Sequence, residues 1–536
     1  MKKLFKYIAI IPAVAAMLLV SSCEEIEPIV EELSFSRAFT PVGLEAQISN
    51  VTTVTLAWSA VKNTDHYVIE IYDGTDVAPV SLVHTAEVAG DVSTYIYALP
   101  AGDTEFFAQI KAVSSKEGVD DSKWLAVNFK SDPENLFTGF KTEMTGLGTA
   151  TVRWTPGAAA TSLVFDNGTP SSFPLTAGEI TAGSKIVTGL SKGTYQIKLM
   201  NNAFVRGRTS VSLEGDSFVA SGGDLAAAIA AAPAGGVILL ENGATFSFAG
   251  PITLNTSLKI RGVLPTNLPT IYVVLNASTY HMFNIGAGIT ASDSLVFQNM
   301  TISGYPDNNS ANTRLRGMFD QDIALPCNIG LIKYENCVAR NFDRHLVRLR
   351  GTAIQVINNI SINNCIMYDY AFGSNYGVIN SSQANGKILN IRITNSTICY
   401  LRGAIVQYIS GTACDGITIS NCTFNQLAMD ASTARYVVDM NNTTGTGAIT
   451  ITNCIFGSTS AIANGIRPNT MTLAISGSYY TSDFNDAVTY QIKSYMTAYG
   501  GASTALWVDP VTTKDFHFLD SGFIGRSSSG DPRWRP

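Results

Sequence analysis

The sequence predicts an all-β protein in which two β-sandwich modules are followed by a right-handed parallel β-helix. Three observations carry this prediction: one strand-like phrase recurs through the second half, short alternating strands fill most of the first half, and only 14% of the 536 residues are charged while 46% are hydrophobic. So long a chain is expected to form several domains. Its net charge of −7 argues against a nucleic-acid partner.

The first 22 residues have the form of a secretory signal that ends in a lipobox at Cys23. Cys23 would then become the lipidated first residue of the mature protein, and residues 23–35 would form an acidic tether. The acids Glu24, Glu25 and Glu27 resemble the export signal that sends Bacteroidetes lipoproteins to the outer face of the outer membrane. This resemblance implies a lipid-anchored, surface-exposed protein of the outer membrane; a periplasm-facing lipoprotein is the alternative.

Residues 36–131 have the pattern of a β-sandwich. Short alternating strands place Trp58 at an apolar position, and a Leu-Pro turn precedes a run of alternating aromatic residues. The pattern resembles a fibronectin type III module, although Phe106 stands where that family has a corner tyrosine.

Residues 132–215 predict a second sandwich of similar length. Trp154 supplies its core aromatic residue, and Tyr195 stands at the corner position that Phe106 occupies in the first module. We interpret both modules as spacers, with ligand binding by their loops as the alternative.

A phrase that occurs six times places one strand and one Asn in each coil of the predicted β-helix, which covers residues 216–480. Within each copy apolar and polar residues alternate, as in a half-buried strand. Because Asn tolerates left-handed backbone, the six Asn can stack ~4.8 Å apart and exchange amide hydrogen bonds. The copies are Val296–Ile302, Ile332–Val338, Ile360–Ile366, Ile391–Thr397, Ile417–Thr423 and Ile449–Ile455, with Asn299, Asn336, Asn364, Asn395, Asn421 and Asn453; of these, Asn364, Asn421 and Asn453 are predicted to point inward.

The residue after the Asn is small from the second copy onward, where it is Cys337, Cys365, Ser396, Cys422 and Cys454 in turn. These cysteines lack the paired spacing of a zinc site, so we interpret them as a column of buried thiols and assign no metal ligand. Without Cys23, seven of the eight cysteines remain. An odd number implies no complete disulfide framework.

Both ends of the β-helix are expected to be covered. An Ala-rich run predicts a short helix, capped by Ser221 or Asp224, that presents Leu225 and Ile229 to the first coil. Such a cover would hide the apolar core that an open coil exposes. Residues 481–536, which are rich in aromatic side chains, are expected to wrap the far end.

A second strand phrase also recurs in each coil, and its first and fifth positions are mostly polar. Because coils stack, these side chains are predicted to line a groove on one face of the helix. Arginine offers paired donors to carboxylates, and amides can bind sugar hydroxyls. An ordinary solvated face is the alternative. The first position reads Arg316, Arg344, Tyr376, Gly403 (preceded by Arg402) and Arg435, and the fifth reads Asp320, Arg348, Asn380, Gln407 and Asp439.

Arginine makes one part of this predicted groove positive. Between residues 311 and 351, seven Lys and Arg stand against four Asp and Glu. On a chain of negative net charge, such an island favours an acidic glycan such as a pectic uronate. Arg344 and Arg348 are expected on the surface.

The sequence leaves catalysis open and assigns no catalytic residue. Between residues 352 and 480 the acids are too dispersed for the paired carboxylates of a glycoside hydrolase. A lyase needs a base such as Arg, and usually calcium held by acids. The residues available for such a set are Arg344, Arg348, Arg350, Asp343, Asp320 and His345.

The lipobox, the sandwich modules and the β-helix together resemble lipoproteins of Bacteroidetes polysaccharide-utilisation loci, and the ending Gly522–Trp534 resembles uncharacterised β-helix families found there. The resemblance implies a cell-surface lipoprotein that holds an acidic, pectin-like polysaccharide beside an outer-membrane glycan transporter, without a cofactor. One alternative is a calcium-dependent polysaccharide lyase of the pectate-lyase type, acting by β-elimination on uronate chains. Another is a structural or adhesive surface protein.

Overall fold

The computed structural model describes residues 35–274, 280–305, 314–370, 376–409, 412–486 and 489–536. The predicted signal peptide and Cys23 lie outside the described residues. The chain divides into two compact units. The first consists of the chain up to Asn135 together with the short segment Ala203–Arg206, and the second consists of Leu136–Asn202 and Gly207–Pro536. Within the described ranges, no helix is both long and apolar enough to cross a membrane.

The first unit contains an antiparallel β-sandwich. Its strands are β1 (Val42–Ser49), β2 (Thr53–Ser59), β3 (Thr64–Thr75), β4 (Ala78–Ala89), β5 (Thr94–Ala98), β6 (Glu105–Ser114) and β7 (Leu125–Lys130). They form sheets in the orders β1-β2-β5 and β4-β3-β6-β7. Trp58 and Tyr67 meet between the sheets, with ring centroids 5.4 Å apart. Phe106 is fully buried against Phe129. Three strands facing four is the arrangement of a fibronectin type III-like module, as predicted.

The second sandwich has the same division into three and four strands. Its elements are β8 (Glu143–Gly146), β9 (Thr149–Arg153), β10 (Ser162–Asp166), β11 (Ser171–Pro174), α1 (Ala177–Ala182), β12 (Ser184–Val187), β13 (Gly193–Asn201) and β14 (Phe204–Leu213). The sheet orders are β12-β9-β8 and β11-β10-β13-β14. Trp154 is fully buried, and the Tyr195 hydroxyl donates to the carbonyl oxygen of Ser191 at 3.1 Å. The predicted tyrosine corner is therefore confirmed.

A parallel β-helix follows. Its elements are β15 (Ser217–Val219), α2 (Leu225–Ala231), β16 (Gly236–Leu240), β17 (Thr245–Phe248), β18 (Ile252–Leu254), β19 (Leu258–Gly262), β20 (Thr270–Val273), β21 (His281–Ile285), β22 (Ser294–Ser303), β23 (Gly317–Asp320), β24 (Cys327–Phe342), β25 (His345–Leu349), β26 (Gln355–Asn363), β27 (Ile366–Tyr370), β28 (Ile379–Ser381), β29 (Gly386–Thr394), β30 (Thr397–Leu401), β31 (Val406–Tyr408), β32 (Gly416–Ser420), β33 (Thr423–Asn425), β34 (Tyr436–Asp439), β35 (Ala448–Thr452), β36 (Ile455–Phe456), β37 (Asn464–Arg467), β38 (Thr472–Ser476), β39 (Tyr479–Tyr480) and β40 (Thr497–Ala498).

Two long parallel sheets run along this helix. In the described part of the chain, the smaller one has eight strands in the order β18-β21-β23-β25-β28-β31-β34-β37 and is called the groove sheet below. The other strands belong to the larger sheet, in which Ile360, Ile391, Ile417 and Ile449 are paired in successive coils. These isoleucines are buried in one continuous apolar core. The fold class predicted from the sequence is confirmed.

The start of the β-helix is covered on two sides. Helix α2 is capped by Asp224, whose carboxylate accepts from the Ala227 N–H at 2.9 Å, and it buries Leu225 and Ile229 in the β-helix core as predicted. Val237 and Leu239 of β16 instead join the core of the second sandwich. This shared core explains why every residue of β16 is buried.

The Asn of each repeat lies at the corner between two strands. All six have left-handed backbone, with φ between 50° and 54°. Asn336 donates through its amide to Asn299 at 3.0 Å, and Asn364 donates to Asn336 at 3.2 Å. The prediction of inward-pointing side chains was wrong: Asn453 is exposed, and Asn364 and Asn421 are half-buried. The amides of Asn299, Asn336 and Asn364 form a hydrogen-bonded ladder at this corner of the β-helix.

Replacing Asn421 by Leu is expected to lower the free energy of unfolding by roughly 1–3 kcal/mol, because Leu is strained in left-handed backbone and loses an amide hydrogen bond. The Asn421 side-chain oxygen accepts from Arg535 at 3.2 Å. Denaturant unfolding would measure the loss. Asn421→Gly is the control, since Gly tolerates this backbone and should lose less. Equal stability of the Leu variant and the wild type would contradict the expectation.

The predicted column of thiols is confirmed. Cys337, Cys365, Cys422 and Cys454 are buried and carry no disulfide. The backbone N–H of Cys337 donates to the sulfur of Cys365 at 3.4 Å. Burial raises the pKa of the Cys337 thiol well above its usual range, so this thiol is protonated at neutral pH.

The C-terminal segment both extends the far end and returns along the side of the β-helix. Strand β40 pairs with β39, so the larger sheet continues past Tyr480. Beyond it lie α3 (Ser503–Leu506), β41 (Trp507–Asp509), β42 (Asp515–Phe518) and 3₁₀ turns at Lys493–Tyr495 and Pro532–Trp534.

The return path departs from the expectation that this segment only wraps the far end. Trp507 and Phe516 pack with Cys399 and Ile455, which face outward from the larger sheet. Further on, Arg533 donates to the side-chain oxygen of Asn364 at 2.7 Å. The physical reason is that this side of the sheet carries apolar side chains, which the segment removes from water.

Candidate functional site

The fifth positions of the second strand phrase lie side by side on the groove sheet. Asp320 is paired with Arg348, Arg348 with Asn380, Asn380 with Gln407, and Gln407 with Asp439. The alignment made from the sequence is thus confirmed as a structural register. The role of these residues in ligand binding stays a prediction.

The side chains of this column lie on the outer face of the sheet. The residue before each of them, such as Phe319, Val347 or Ile379, belongs to the apolar core. Since successive strand residues point to opposite faces, the polar column faces away from that core.

The floor of the groove is a buried charged cluster around Asp320. Asp320 and His345 are both fully buried. One Asp320 carboxylate oxygen lies 3.1 Å from Arg350 Nε, 3.5 Å from His345 Nε2 and 3.9 Å from an Arg348 nitrogen. Within the described residues, neither carboxylate oxygen of Asp320 nor either ring nitrogen of His345 has a well-formed hydrogen bond. Asp320 therefore acts as the counter-ion that holds two guanidinium groups at the groove.

Burial keeps the floor histidine neutral. It lowers the pKa of His345 to about 3, against the opposing effect of the Asp320 charge. The ring lies so close to Gly317 of the preceding strand that a Cβ there would come within 2.3 Å of a ring carbon. Only a glycine fits under His345.

Above this floor lies a layer of arginine and tyrosine side chains. The guanidinium carbons of Arg348 and Arg344 lie 4.1 and 5.5 Å from the centre of the Tyr376 ring. The guanidinium of Arg316 lies 4.0 Å from the centre of the Tyr280 ring, and Tyr280 is 43% exposed. Each cation rests on the negative face of an aromatic ring, which fixes its position without neutralising its charge.

Arg348 does not lie on the surface, contrary to the expectation from the sequence. It is only 8% exposed, and its Nε donates to Ser382 Oγ at 3.0 Å. Tyr376 covers it from outside and Asp320 lies beneath it. The residue that covers Arg348 belongs to the next coil, and the alternation of residues within one strand cannot reveal such a contact. Asp320 and Asn380 are likewise fully buried, so a ligand in the groove cannot contact them directly.

Two other predicted arginines meet at a different acid. Arg435 Nε lies 3.1 Å from one carboxylate oxygen of Asp430, and an Arg402 nitrogen lies 3.6 Å from the other. Burial alone raises the pKa of Asp430, but hydrogen bonds from Ser432 and Arg435 outweigh it and hold that pKa well below the usual range. The two arginine charges are therefore partly compensated.

The remaining predicted residues, Gln407 and Asp439, already have hydrogen-bond partners within the groove sheet. Gln407 accepts from the Asn380 amide and from the Gly377 N–H, each at 2.9 Å. Asp439 accepts from Arg467 through both carboxylate oxygens, at 2.6 and 2.8 Å. These residues shape the groove, and their free hydrogen-bonding capacity is reduced.

The positive charge of the groove is concentrated at one end. Arg344 and Arg348 lie against Tyr376. The carboxylates in direct contact with Arg344, Arg348 and Arg350 are Asp343 and Asp320. One positive charge is left over. Arg316 adds a second, since it forms no ion pair with any described residue.

The sequence interpretation missed Tyr280, Tyr436 and Arg467. Their signal was present: Tyr280 precedes β21 as Arg316 precedes β23, and Arg467 follows Asp439 in the same column. Extending the alignment by one coil at each end would have found the first and the last. In the described part of the chain, no three His, Cys, Asp or Glu side chains converge as metal ligands.

Two family models match the β-helix and the segment after it. Residues 244–401 match a domain of unknown function, DUF4957, and residues 417–534 match another, DUF5123. Neither match spans half of the chain. No curated protein matches the sequence.

The solved structures that resemble this chain include fibronectin type III domains. One is a two-domain segment from chicken tenascin, 19% identical, which covers 32% of this chain and 97% of its own, with a TM-score of 0.20. Another is a domain of human collagen XX, 16% identical, which covers 17% of this chain and 88% of its own, with a TM-score of 0.14. The assignment of the sandwiches rests on their strand order. Together with the β-helix, they are consistent with a surface carbohydrate-related or structural protein.

Proposed function

We propose that this protein is a cell-surface lipoprotein, anchored through Cys23, that binds an acidic polysaccharide along the groove sheet and holds it without cleaving it. The observation that carries the proposal is the layer of arginine and tyrosine side chains over a buried polar floor. An outer-membrane glycan transporter would be its partner, and pectin-like uronate chains its ligand.

The chemistry of the layer suits a uronate. A guanidinium group can donate two parallel hydrogen bonds to a carboxylate, and Arg316 and Arg344 carry charge that acids only partly compensate. The exposed face of Tyr280 offers an apolar platform for the C–H face of a sugar ring. Neighbouring strands are ~4.8 Å apart, so an extended chain lying along the helix axis would meet a new coil at about every sugar.

The arrangement of the acids favours binding over cleavage. A general base must reach the proton that it removes. Asp320 and His345 are fully buried, and Arg348 is covered by Tyr376. The groups best suited to proton transfer are thus closed off from a chain lying in the groove.

A lyase is the second candidate, and the buried Asp320–His345 pair favours it. Charged and neutral titratable groups held together without good hydrogen bonds are costly, and such clusters are frequent at catalytic sites. Tyr376 lies beside this pair, with its ring centroid 6.3 Å from that of His345.

One experiment separates the two functions. The protein is incubated with polygalacturonate, alginate and a neutral glucan, and both gel retardation and the ultraviolet absorbance of unsaturated products are followed. Retardation by an acidic glycan without new absorbance is the expected result. Release of unsaturated product would establish the lyase, and a lack of retardation by every acidic glycan would contradict the binding function.

A further inference from the structure

The groove sheet carries a second aromatic cluster at its far end. Tyr436 begins β34, and the guanidinium of Arg467, on the next strand, lies 4.3 Å from the centre of its ring. The ring of Tyr490 lies 5.9 Å from that of Tyr436, and Tyr490 is 49% exposed. This cluster faces outward like the layer around Tyr376, because Arg467 continues the column of Asp439.

The far cluster differs from the near one in charge. Arg467 donates to Asp439 through two nitrogens, at 2.6 and 2.8 Å, so the two charges cancel. A guanidinium group has five N–H donors, and the pair uses two of them. The remaining N–H groups of Arg467 can donate to sugar hydroxyl groups, but the negative charge of Asp439 would repel a second carboxylate.

The two clusters are within reach of one glycan chain. Strand β34 is the fifth neighbour of β21 in the groove sheet. At ~4.8 Å for each neighbour, Tyr280 and Tyr436 are separated by roughly 24 Å along the helix axis.

We infer that the groove has two chemically different halves. The half with Arg316, Arg344 and Tyr376 takes acidic sugars, and the half with Tyr436, Tyr490 and the Arg467–Asp439 pair takes an uncharged sugar ring. The ligand is therefore a polysaccharide in which uncharged rings, such as methyl-esterified uronates, adjoin ionised ones within about five residues of the chain. This inference rests on the function proposed above and adds a site and a ligand class to it.

The test uses galacturonate oligomers and calorimetric titration of the full protein. The probes are an ionised trimer, an ionised hexamer and two half-esterified hexamers. One of these hexamers is esterified in the three rings at its reducing end, and the other in the three rings at its non-reducing end. One of the two half-esterified hexamers is expected to bind about tenfold more tightly than the trimer, because stacking on tyrosine adds to the charged contacts. The ionised hexamer should gain less affinity over the trimer, because Asp439 repels its additional carboxylates.

The matched variants separate the halves. Tyr436→Ala is expected to remove the advantage of the half-esterified hexamer over the trimer and to leave the affinity for the trimer unchanged, whereas Tyr436→Phe should keep both. Tyr490→Ala, at a half-exposed position, provides the same test should Tyr436→Ala fail to fold.

Two results would overturn the inference while the binding function stands: equal affinities of the trimer and both half-esterified hexamers, or an equal loss for all probes in the Tyr436→Ala and Tyr490→Ala variants. Absence of binding to every probe by the wild type would instead reject the binding function itself.

Discussion

Replacing Asp320 by Ala is expected to lower the free energy of unfolding of the β-helix by roughly 3–5 kcal/mol, because it leaves the buried Arg348 and the partly exposed Arg350 without their counter-ion. Asp320 is fully buried, and its carboxylate lies 3.1 Å from Arg350 and 3.9 Å from Arg348. Only 10% of the Arg348 side chain is exposed, so water cannot replace the lost charge. Urea unfolding of the full protein measures the effect.

Two further variants show whether charge is the cause. Asp320→Asn keeps the shape of the side chain and removes its charge, and it should lose most of the same free energy. Asp415→Ala, at an exposed position of the same β-helix, should change the free energy of unfolding by no more than about 0.5 kcal/mol. If Asp320→Ala unfolded at the same urea concentration as Asp415→Ala, Asp320 would not be the counter-ion.

Replacing both Arg316 and Arg344 by Ala is expected to weaken binding of polygalacturonate about a hundredfold, and either change alone about tenfold. Each guanidinium forms charge-assisted hydrogen bonds, and desolvation and ordering offset part of their strength. Both side chains are partly exposed, so the fold should persist. Added salt should weaken binding by the wild type more than by the double variant, because screening acts on the charges that the variant lacks.

The control for these variants is Arg392→Ala. Arg392 is exposed on the larger sheet, and it forms no ion pair with any described residue. Arg392→Ala removes one positive charge from the larger sheet and none from the groove sheet, so the affinity should stay within about twofold of the wild type. Arg348→Ala is a poorer test than the sequence implied. Arg348 is buried, so its removal would change the stability of the fold together with the affinity for the glycan. Unchanged affinity in the double variant would place the glycan site elsewhere.

The repeats allowed much of the fold to be predicted from the sequence. The period-two alternation around Asn364, Asn395 and Asn421 predicts which residues face the core, because side-chain direction in a strand is a local property. Repetition then predicts which residues stack, so Asp320, Arg348 and Asn380 could be placed in one column without coordinates. The cap at Asp224 and the corner at Tyr195 are local patterns as well.

The path of the C-terminal segment could not be predicted in this way. Its apolar residues indicate that it packs on something, but Trp507 could have covered any exposed part of the core. The choice depends on Cys399 and Ile455, which lie outward on a distant part of the chain. A hydrophobic contact carries no directional signal in the sequence.

The sequence by itself determined the order of domains, the strand period, the stacking of the coils and the column of polar residues at the groove. Only the tertiary structure decided which members of that column are covered and which acids neutralise which arginines. The same column contains buried Asp320 and partly exposed Arg467, and Arg402 and Arg435 meet at Asp430. Register follows from local periodicity, whereas burial and ion pairing depend on what neighbouring coils and loops place above each side chain.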